Sequence, residues 1–125
     1  MILLEEVLEI HELMIQRYGG GKGIRDMQML ISAIERPFQS FDKEELYPTD
    51  FDKAAALMES IISNHPFIDG NKRTGYSVAA LFLLAKGIEI ISSEDDAYSI
   101  VIQIASGQIN HTQITNWLKA NTKDK

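Results

Sequence analysis

The feature that most constrains the fold is an unbroken apolar run from Val78 to Ala85. It completes a stretch of helix-favouring residues that begins at Asn71, and Gly87 is a suitable residue to end that helix. A helix that is apolar on every face is normally buried on all sides. We therefore expect a central helix over residues 71–86, packed within the rest of the chain.

Apolar residues at helical spacing predict further helices on both sides of the central one. The expected bounds are Leu3–Tyr18, Asp26–Glu35 with Asp26 as cap, Asp50–Asn64 with Asp50 as cap, Ser92 or Ser93 to Gly107, and His111–Ala120. Residues 37–48 fit neither period and carry a proline at each end, which indicates an ordered loop or a small hairpin. Residues 88–91 are expected to be extended.

Length and composition restrict the class of protein. The 125 residues are enough for one domain, which we predict over 1–125 as an all-α bundle of about six helices. The net charge of −6 argues against direct nucleic-acid binding, and the absence of cysteine excludes a thiolate metal site or nucleophile. The longest apolar run has eight residues, against about 20 for a membrane span, so we expect no membrane association and a cytoplasmic protein.

The polar stretch from His65 to Arg73 is the strongest indication of chemistry. It lies where a turn becomes the start of the buried helix, and such a start presents unpaired N–H groups to anions. Gly70 allows the backbone to approach a phosphate closely, while Lys72 and Arg73 add positive charge. The sequence therefore predicts a phosphate-binding turn.

The remaining groups of the stretch suit transfer of a phosphorus-centred group. Asp69 would be repelled by a phosphate unless a cation such as Mg²⁺ lay between them. A histidine such as His65 can accept a proton from an attacking hydroxyl near neutral pH. In the alternative interpretation the stretch is only structural: His65 ends one helix, Asp69 caps the next, and both basic side chains are solvated.

The stretch from His65 to Arg73 resembles the signature of the Fic/Doc proteins, HPFx(D/E)GNxR, at every defined position. Ile10-His11, Arg17-Tyr18-Gly19-Gly20 and the segment 45–48 resemble the death-on-curing (Doc) toxin branch, so the resemblance extends over nearly the whole chain. It implies the Fic fold, ATP as a substrate and Mg²⁺ as a cofactor.

The resemblance also implies a role for each residue of the stretch. His65 would be the general base on a protein hydroxyl, Phe67 would anchor the loop in the core, and Asp69 would bind Mg²⁺. The nucleotide phosphates would be held by Gly70, Asn71, Lys72 and Arg73. Residues 37–48 would form a flap that aligns the target chain as an added strand. Its candidate contact residues are Phe38, Phe41, Glu44 and Tyr47.

Two departures from the AMP-transferring Fic enzymes indicate the subclass. Those enzymes carry Gly where this chain has Lys72, and a second Arg where it has Tyr76. Doc toxins share the lysine, and the resemblance implies that they phosphorylate a threonine of elongation factor Tu. We therefore expect a toxin that transfers phosphate from ATP to a translation protein. Transfer of AMP is the alternative, and a non-catalytic binding module with this fold is a second alternative.

The sequence predicts no inhibitory segment within the chain, and it predicts structural roles for the two other histidines. Fic-type enzymes are commonly inhibited by a (S/T)xxxE(G/N) segment. The nearest match, Ser40 with Glu44, lacks the final Gly or Asn. Inhibition is therefore expected from a separate antitoxin, bound in an apolar groove beside residues 65–73. His11 is predicted to be a packed structural residue, and His111 to lie at the surface or to cap a helix.

Overall fold

The computed structural model describes residues 2–125, and within them it confirms the all-α bundle of six α-helices. The helices are α1 (Leu4–Tyr18), α2 (Met27–Glu35), α3 (Asp50–Asn64), α4 (Asn71–Ala85), α5 (Glu94–Ala105) and α6 (His111–Ala120). One hydrophobic core receives side chains from all six. No helix within residues 2–125 combines the length and the apolar character needed to cross a membrane.

Local capping sets where the helices begin, and one predicted cap is wrong. Asp26 caps α2 as predicted, its Oδ1 accepting from the N–H of Met29 at 3.1 Å. The cap of α3 is Thr49 rather than Asp50: Thr49 Oγ1 accepts from the N–H of Asp52 at 3.0 Å, and the Asp52 carboxylate accepts in return from the Thr49 N–H. This reciprocal pair satisfies two orphan donors, so Thr49 is the cap and Asp50 is the first residue of the helix.

Helices α3 and α4 form the centre of the bundle because their backbones cross closely at Gly75. A Cβ atom added at Gly75 would lie 2.7 Å from Ile62 Cγ1 and 3.3 Å from the main-chain oxygen of Met58. Nine of the fifteen residues of α3 are buried, consistent with a helix covered on most sides. This close crossing sets the positions of the C-terminus of α3 and the N-terminus of α4.

The expectation that the second half of α4 is buried on every face is wrong. Val78, Ala79 and Leu83 are almost fully buried, but Leu81 is 48% exposed and Leu84 is 37% exposed. Helices α1, α3 and α5 and the strand after α4 pack against this helix and leave one side open to solvent. The second half of α4 therefore carries apolar residues on every face, although one of these faces is exposed to solvent.

Short strands complete the fold. A 3₁₀ turn over Arg36–Phe38 leads into a small antiparallel hairpin of β1 (Ser40–Phe41) and β2 (Glu44–Glu45), which is the second of the two forms expected for residues 37–48. The expected extended segment is β3 (Ile88–Ile90), and it pairs antiparallel with β4 (Thr122–Asp124). The strand β4 was not predicted, because its pairing partner lies more than thirty residues earlier in the chain.

Candidate active site

The polar stretch forms a tight loop between the two central helices. His65 ends α3 in the left-handed conformation, with φ 49° and ψ 55°. Gly70 precedes α4 and is also left-handed, with φ 78° and ψ 16°. No side chain within residues 2–125 caps the N-terminus of α4, and the Thr74 N–H donates to Gly70 O at 3.0 Å. The amides of the first turn of α4 are therefore available to an anion.

Asn71 holds the loop together from inside. Its side-chain Oδ1 accepts from the Phe67 N–H at 2.9 Å, and its Nδ2 donates to Phe67 O at 3.0 Å. The Phe67 side chain is 1% exposed and lies in the core, where an anchor was expected. Asn71 was expected to hold phosphates, but its amide is used by the Phe67 backbone, so only its main chain is free to face an anion.

The connection between α1 and α2 forms the outer support of the loop. The N–H groups of Arg25 and Asp26 both donate to Pro66 O, at 2.8 and 3.0 Å, and the Ile68 N–H donates to Gly23 O at 3.2 Å. Ile24 and Phe67 form an antiparallel bridge between the two segments. In the sequence, the glycines of this connection indicated only the end of a helix, so its supporting role was missed.

The Asp69 carboxylate is held by two backbone amides. Its Oδ2 accepts from the Gly21 N–H at 3.2 Å, and its Oδ1 accepts from the Gly70 N–H at 2.9 Å. These bonds, led by the one from Gly21, hold the pKa of Asp69 below its ordinary value. The side chain is exposed and ionised, so it can carry negative charge toward a cation.

The donor set fits Mg²⁺ together with a nucleotide. Within residues 2–125 no three His, Asp or Glu side chains gather into a metal-binding group. Mg²⁺ is usually bound by one or two carboxylates plus substrate phosphates rather than by a cage of protein ligands. Asp69 would supply the carboxylate, and the adjacent N-terminus of α4 would hold the phosphates.

His11 is the packed structural histidine that the sequence predicted. It is 6% exposed, and its Nε2 donates to Asp69 O at 2.8 Å. Its ring is stacked on that of Phe67, with the ring centres 3.8 Å apart and the planes inclined by 6°. The first helix therefore contacts the loop at two points, one polar and one apolar.

An open cleft of about 900 Å³ lies beside the loop. His65, Asp69, Lys72 and Arg73 line one side, and residues of α5, including Glu94 and Tyr98, line the other. The lining also includes the apolar side chains of Met14, Ile68, Ala97, Val101 and Ile102. The cleft thus combines the predicted phosphate-binding turn with an apolar wall.

Arg73 is positioned at this cleft by an aromatic neighbour. Its guanidinium carbon lies 4.3 Å from the centre of the Tyr18 ring, which is a cation–π contact. Both side chains are exposed. In the sequence analysis Tyr18 was named only as part of a segment that resembles the Doc branch. Its contact with Arg73 was not predicted.

The predicted flap lies apart from the cleft. Phe38, Phe41, Glu44 and Tyr47 are absent from the cleft lining. Phe41 is 77% exposed at the end of β1, and Phe38 is 37% exposed, with its ring nearly perpendicular to that of Phe82. The structure therefore brings together the predicted phosphate and metal residues but keeps the four flap residues in a separate segment of the chain.

Two cations attach the flap to α3. Arg36 Nε donates to the Tyr47 hydroxyl at 2.8 Å, and Arg36 Nη1 forms an ion pair with Glu59 at 2.8 Å. Lys53 Nζ contacts both Glu45, at 3.0 Å, and the main-chain oxygen of Tyr47.

His111 adds a further contact to this flap attachment. It was predicted to lie at the surface or to cap a helix, but it is half-buried, and its Nε2 donates to Asp52 O at 3.0 Å. Its ring centre lies 4.9 Å from that of Tyr47, so it packs against the base of the flap.

The loop, the cleft and the helices around them match a known family. The sequence model of the Fic/DOC family matches residues 2–83, which include the whole loop and both central helices up to Leu83. The chain belongs to the Fic/Doc family. The resemblance seen in the motif is therefore confirmed, and the bundle of six helices is the Fic fold.

Two curated proteins are similar to this chain. One, named Protein kinase doc, from Escherichia phage P1, is 31% identical over 92% of this chain and 90% of its own length. The other, named Toxin Doc, from Mycolicibacterium smegmatis, is 38% identical over 62% of this chain. That second match spans 60% of the length of the Mycolicibacterium protein.

Proposed function

We propose that this protein is the toxin of a toxin–antitoxin pair and that it transfers the γ-phosphate of ATP to a hydroxyl group of a protein. The observation that carries the proposal is the convergence of His65, Asp69, Arg73 and the uncapped start of α4 on one cleft. The names of the two relatives support it, since one is called a protein kinase and the other a toxin.

In the proposed reaction His65 accepts the proton of the target hydroxyl. The hydroxyl oxygen forms a bond to the γ-phosphorus, the bond from that phosphorus to the β-phosphate oxygen breaks, and ADP leaves. Arg73 and Lys72 hold the phosphates, with Arg73 able to bind two oxygens at once. Asp69 would hold Mg²⁺, which neutralises phosphate charge when it is bound.

Lys72 and Tyr76 favour phosphate transfer over AMP transfer. Both line the cleft, in the positions where the AMP-transferring relatives carry Gly and Arg. Lys72 fills space that a glycine would leave open, and Tyr76 cannot clamp a phosphate as an arginine does. AMP transfer is the competing outcome, and a catalytically inert binding module is a further one that the retained His65 and Asp69 argue against.

We further propose that the target is a translation protein such as elongation factor Tu, modified on a threonine. The hairpin of β1 and β2 offers a short exposed edge on which a target segment can add as a strand. Phe41, exposed at the end of β1, would contact that segment through its apolar ring. Such a target implies action in the cytoplasm.

An antitoxin is proposed to act in trans at the cleft. The apolar wall formed by Val101, Ile102 and Met14 suits a partner segment that folds on binding and presents apolar anchors. Because this wall faces the phosphate-binding turn, such a segment would compete with ATP. The chain itself lacks the inhibitory (S/T)xxxE(G/N) sequence.

Expression in a bacterial host tests this proposal as a whole. The parent chain should arrest growth, the His65→Ala variant should not, and co-expression of a short protein encoded next to the gene should restore growth to cells with the parent chain. The His65 side chain is exposed, so its removal should leave the fold intact, which circular dichroism would check. Growth arrest by the His65→Ala variant would contradict the proposed mechanism.

A further inference from the structure

His65 has a backbone conformation that needs outside support. It is left-handed, with φ 49°, at the end of α3, and a residue with a Cβ atom adopts this region at a cost in free energy. The direction of the imidazole depends on this conformation, because the Cα–Cβ bond turns with the backbone. Some contact must therefore hold the main chain of residues 64–66 in place.

Arg25 supplies that contact to three consecutive carbonyl groups. Its Nε donates to His65 O at 2.6 Å, and its Nη2 donates to Asn64 O at 2.7 Å. Its own main-chain N–H donates to Pro66 O at 2.8 Å. The carbonyls at the end of a helix have no partner within the helix, and a cation beside them is favoured by the helix dipole.

From these contacts we infer that Arg25 is a positioning residue for His65, a role that rests on the proposed base function of His65. Arg25 does not line the cleft, so it acts on the imidazole through the backbone and not on the nucleotide. A guanidinium can satisfy two neighbouring carbonyls with donors in a fixed plane, whereas an ammonium is a single point charge. Lysine at this position should therefore restore only part of the effect.

Kinetics of phosphate transfer test this role. Arg25→Ala should lower kcat by about 10–100-fold, the scale expected when a catalytic group is displaced by about 1 Å. The dissociation constant for Mg·ATP should change by less than about twofold, because Lys72, Arg73 and the start of α4 are untouched. Arg25→Lys should give an intermediate kcat. Lys22→Ala is the matched control, since it removes one positive charge from the same connection and should leave kcat unchanged.

A measurement without turnover separates this inference from the proposed function. In the parent protein, NMR chemical shifts and couplings should report a left-handed His65, and in Arg25→Lys or Arg25→Ala they should report its loss or averaging. If the parent transfers no phosphate, the proposed function fails. The NMR measurement then still decides whether Arg25 holds the backbone conformation of His65. An unchanged His65 conformation, an unchanged kcat, or equal losses in kcat and Mg·ATP affinity would overturn the inference. If Arg25→Ala fails to fold, the Arg25→Lys variant is used for both the kinetic and the NMR measurement.

Discussion

The imidazole of His11 lies flat on the ring of Phe67, with the ring centres 3.8 Å apart, and its Nε2 donates to the main-chain oxygen of Asp69 at 2.8 Å. A residue of the first helix thus contacts both the buried Phe67 of the loop from His65 to Arg73 and the backbone of its acidic residue. The loop is therefore held before any ligand arrives, which is the condition for a preorganised site.

Substitution of His11 separates its two contacts. His11→Phe keeps the stacked ring but removes the donor to Asp69 O, and it should lower the free energy of unfolding by about 1 kcal/mol. His11→Ala also removes the stacking, worth about 0.5–1.5 kcal/mol more, and leaves a cavity. Denaturant unfolding of the three proteins measures both differences. Equal stability of parent and His11→Phe would contradict a role for the hydrogen bond.

Gly20 and Gly19 form a matched pair for testing the position of Asp69. Both have positive φ, but a Cβ at Gly20 would lie 2.8 Å from Asp69 Oδ2, whereas a Cβ at Gly19 would have no atom within 4 Å. Each alanine variant should be destabilised through its backbone. Only Gly20→Ala should also weaken Mg²⁺-dependent ATP binding, because only it displaces the carboxylate. Calorimetric titration with and without Mg²⁺ makes the comparison, and equal affinities for the two variants would count against this position of Asp69.

The lowered pKa of Asp69 predicts a pH dependence of stability. The Gly21 and Gly70 amides stabilise the ionised carboxylate in the folded protein, so its contribution is fully present above the ordinary carboxyl pKa of about 3.9. The contribution is lost as the pH falls through the lower pKa of the folded state. The stability difference between the parent and Asp69→Asn should therefore shrink in acid, as denaturant unfolding across a pH series would measure. If the stability difference between the parent and Asp69→Asn grew below about pH 4, it would contradict this account of Asp69.

Two residues of the cleft should control which group is transferred. Lys72→Gly opens space at the start of α4, and Tyr76→Arg adds a second phosphate clamp. The double variant should gain AMP transfer to the target and lose phosphate transfer, and Lys72→Gly alone should give a smaller change. Incubation with ATP labelled in the α- or γ-phosphate distinguishes the two products. Efficient AMP transfer by the parent would show that Lys72 does not determine which group is transferred.

Features that depend on neighbouring residues could be predicted from the sequence. The helices, the cap at Asp26, the hairpin and the loop from His65 to Arg73 all rest on short-range patterns. The position of Asp69 beside the start of a helix followed from the same local pattern, and the family resemblance gave each loop residue an expected role.

Features that depend on distant contacts could not be predicted. Arg25 and His65 are 40 residues apart, and Gly21 and Asp69 are 48 apart, so the glycine-rich connection indicated only a helix end. The pairing of β4 with β3 and the open side of α4 at Leu81 depend in the same way on the packing of distant elements. The error at Asp50 was different, since Thr49 and Asp50 are both good caps and only the reciprocal bond with Asp52 selects Thr49.

The most direct measurement of the central claim is transfer of label from ATP to elongation factor Tu by the purified chain in the presence of Mg²⁺. Label in the γ-phosphate should appear on the target, label in the α-phosphate should not, and His65→Ala should reduce the rate by about 10²–10⁴-fold. Label arriving from the α-phosphate, or an undiminished rate in His65→Ala, would contradict the account of this protein as a phosphate-transferring enzyme with His65 as its base.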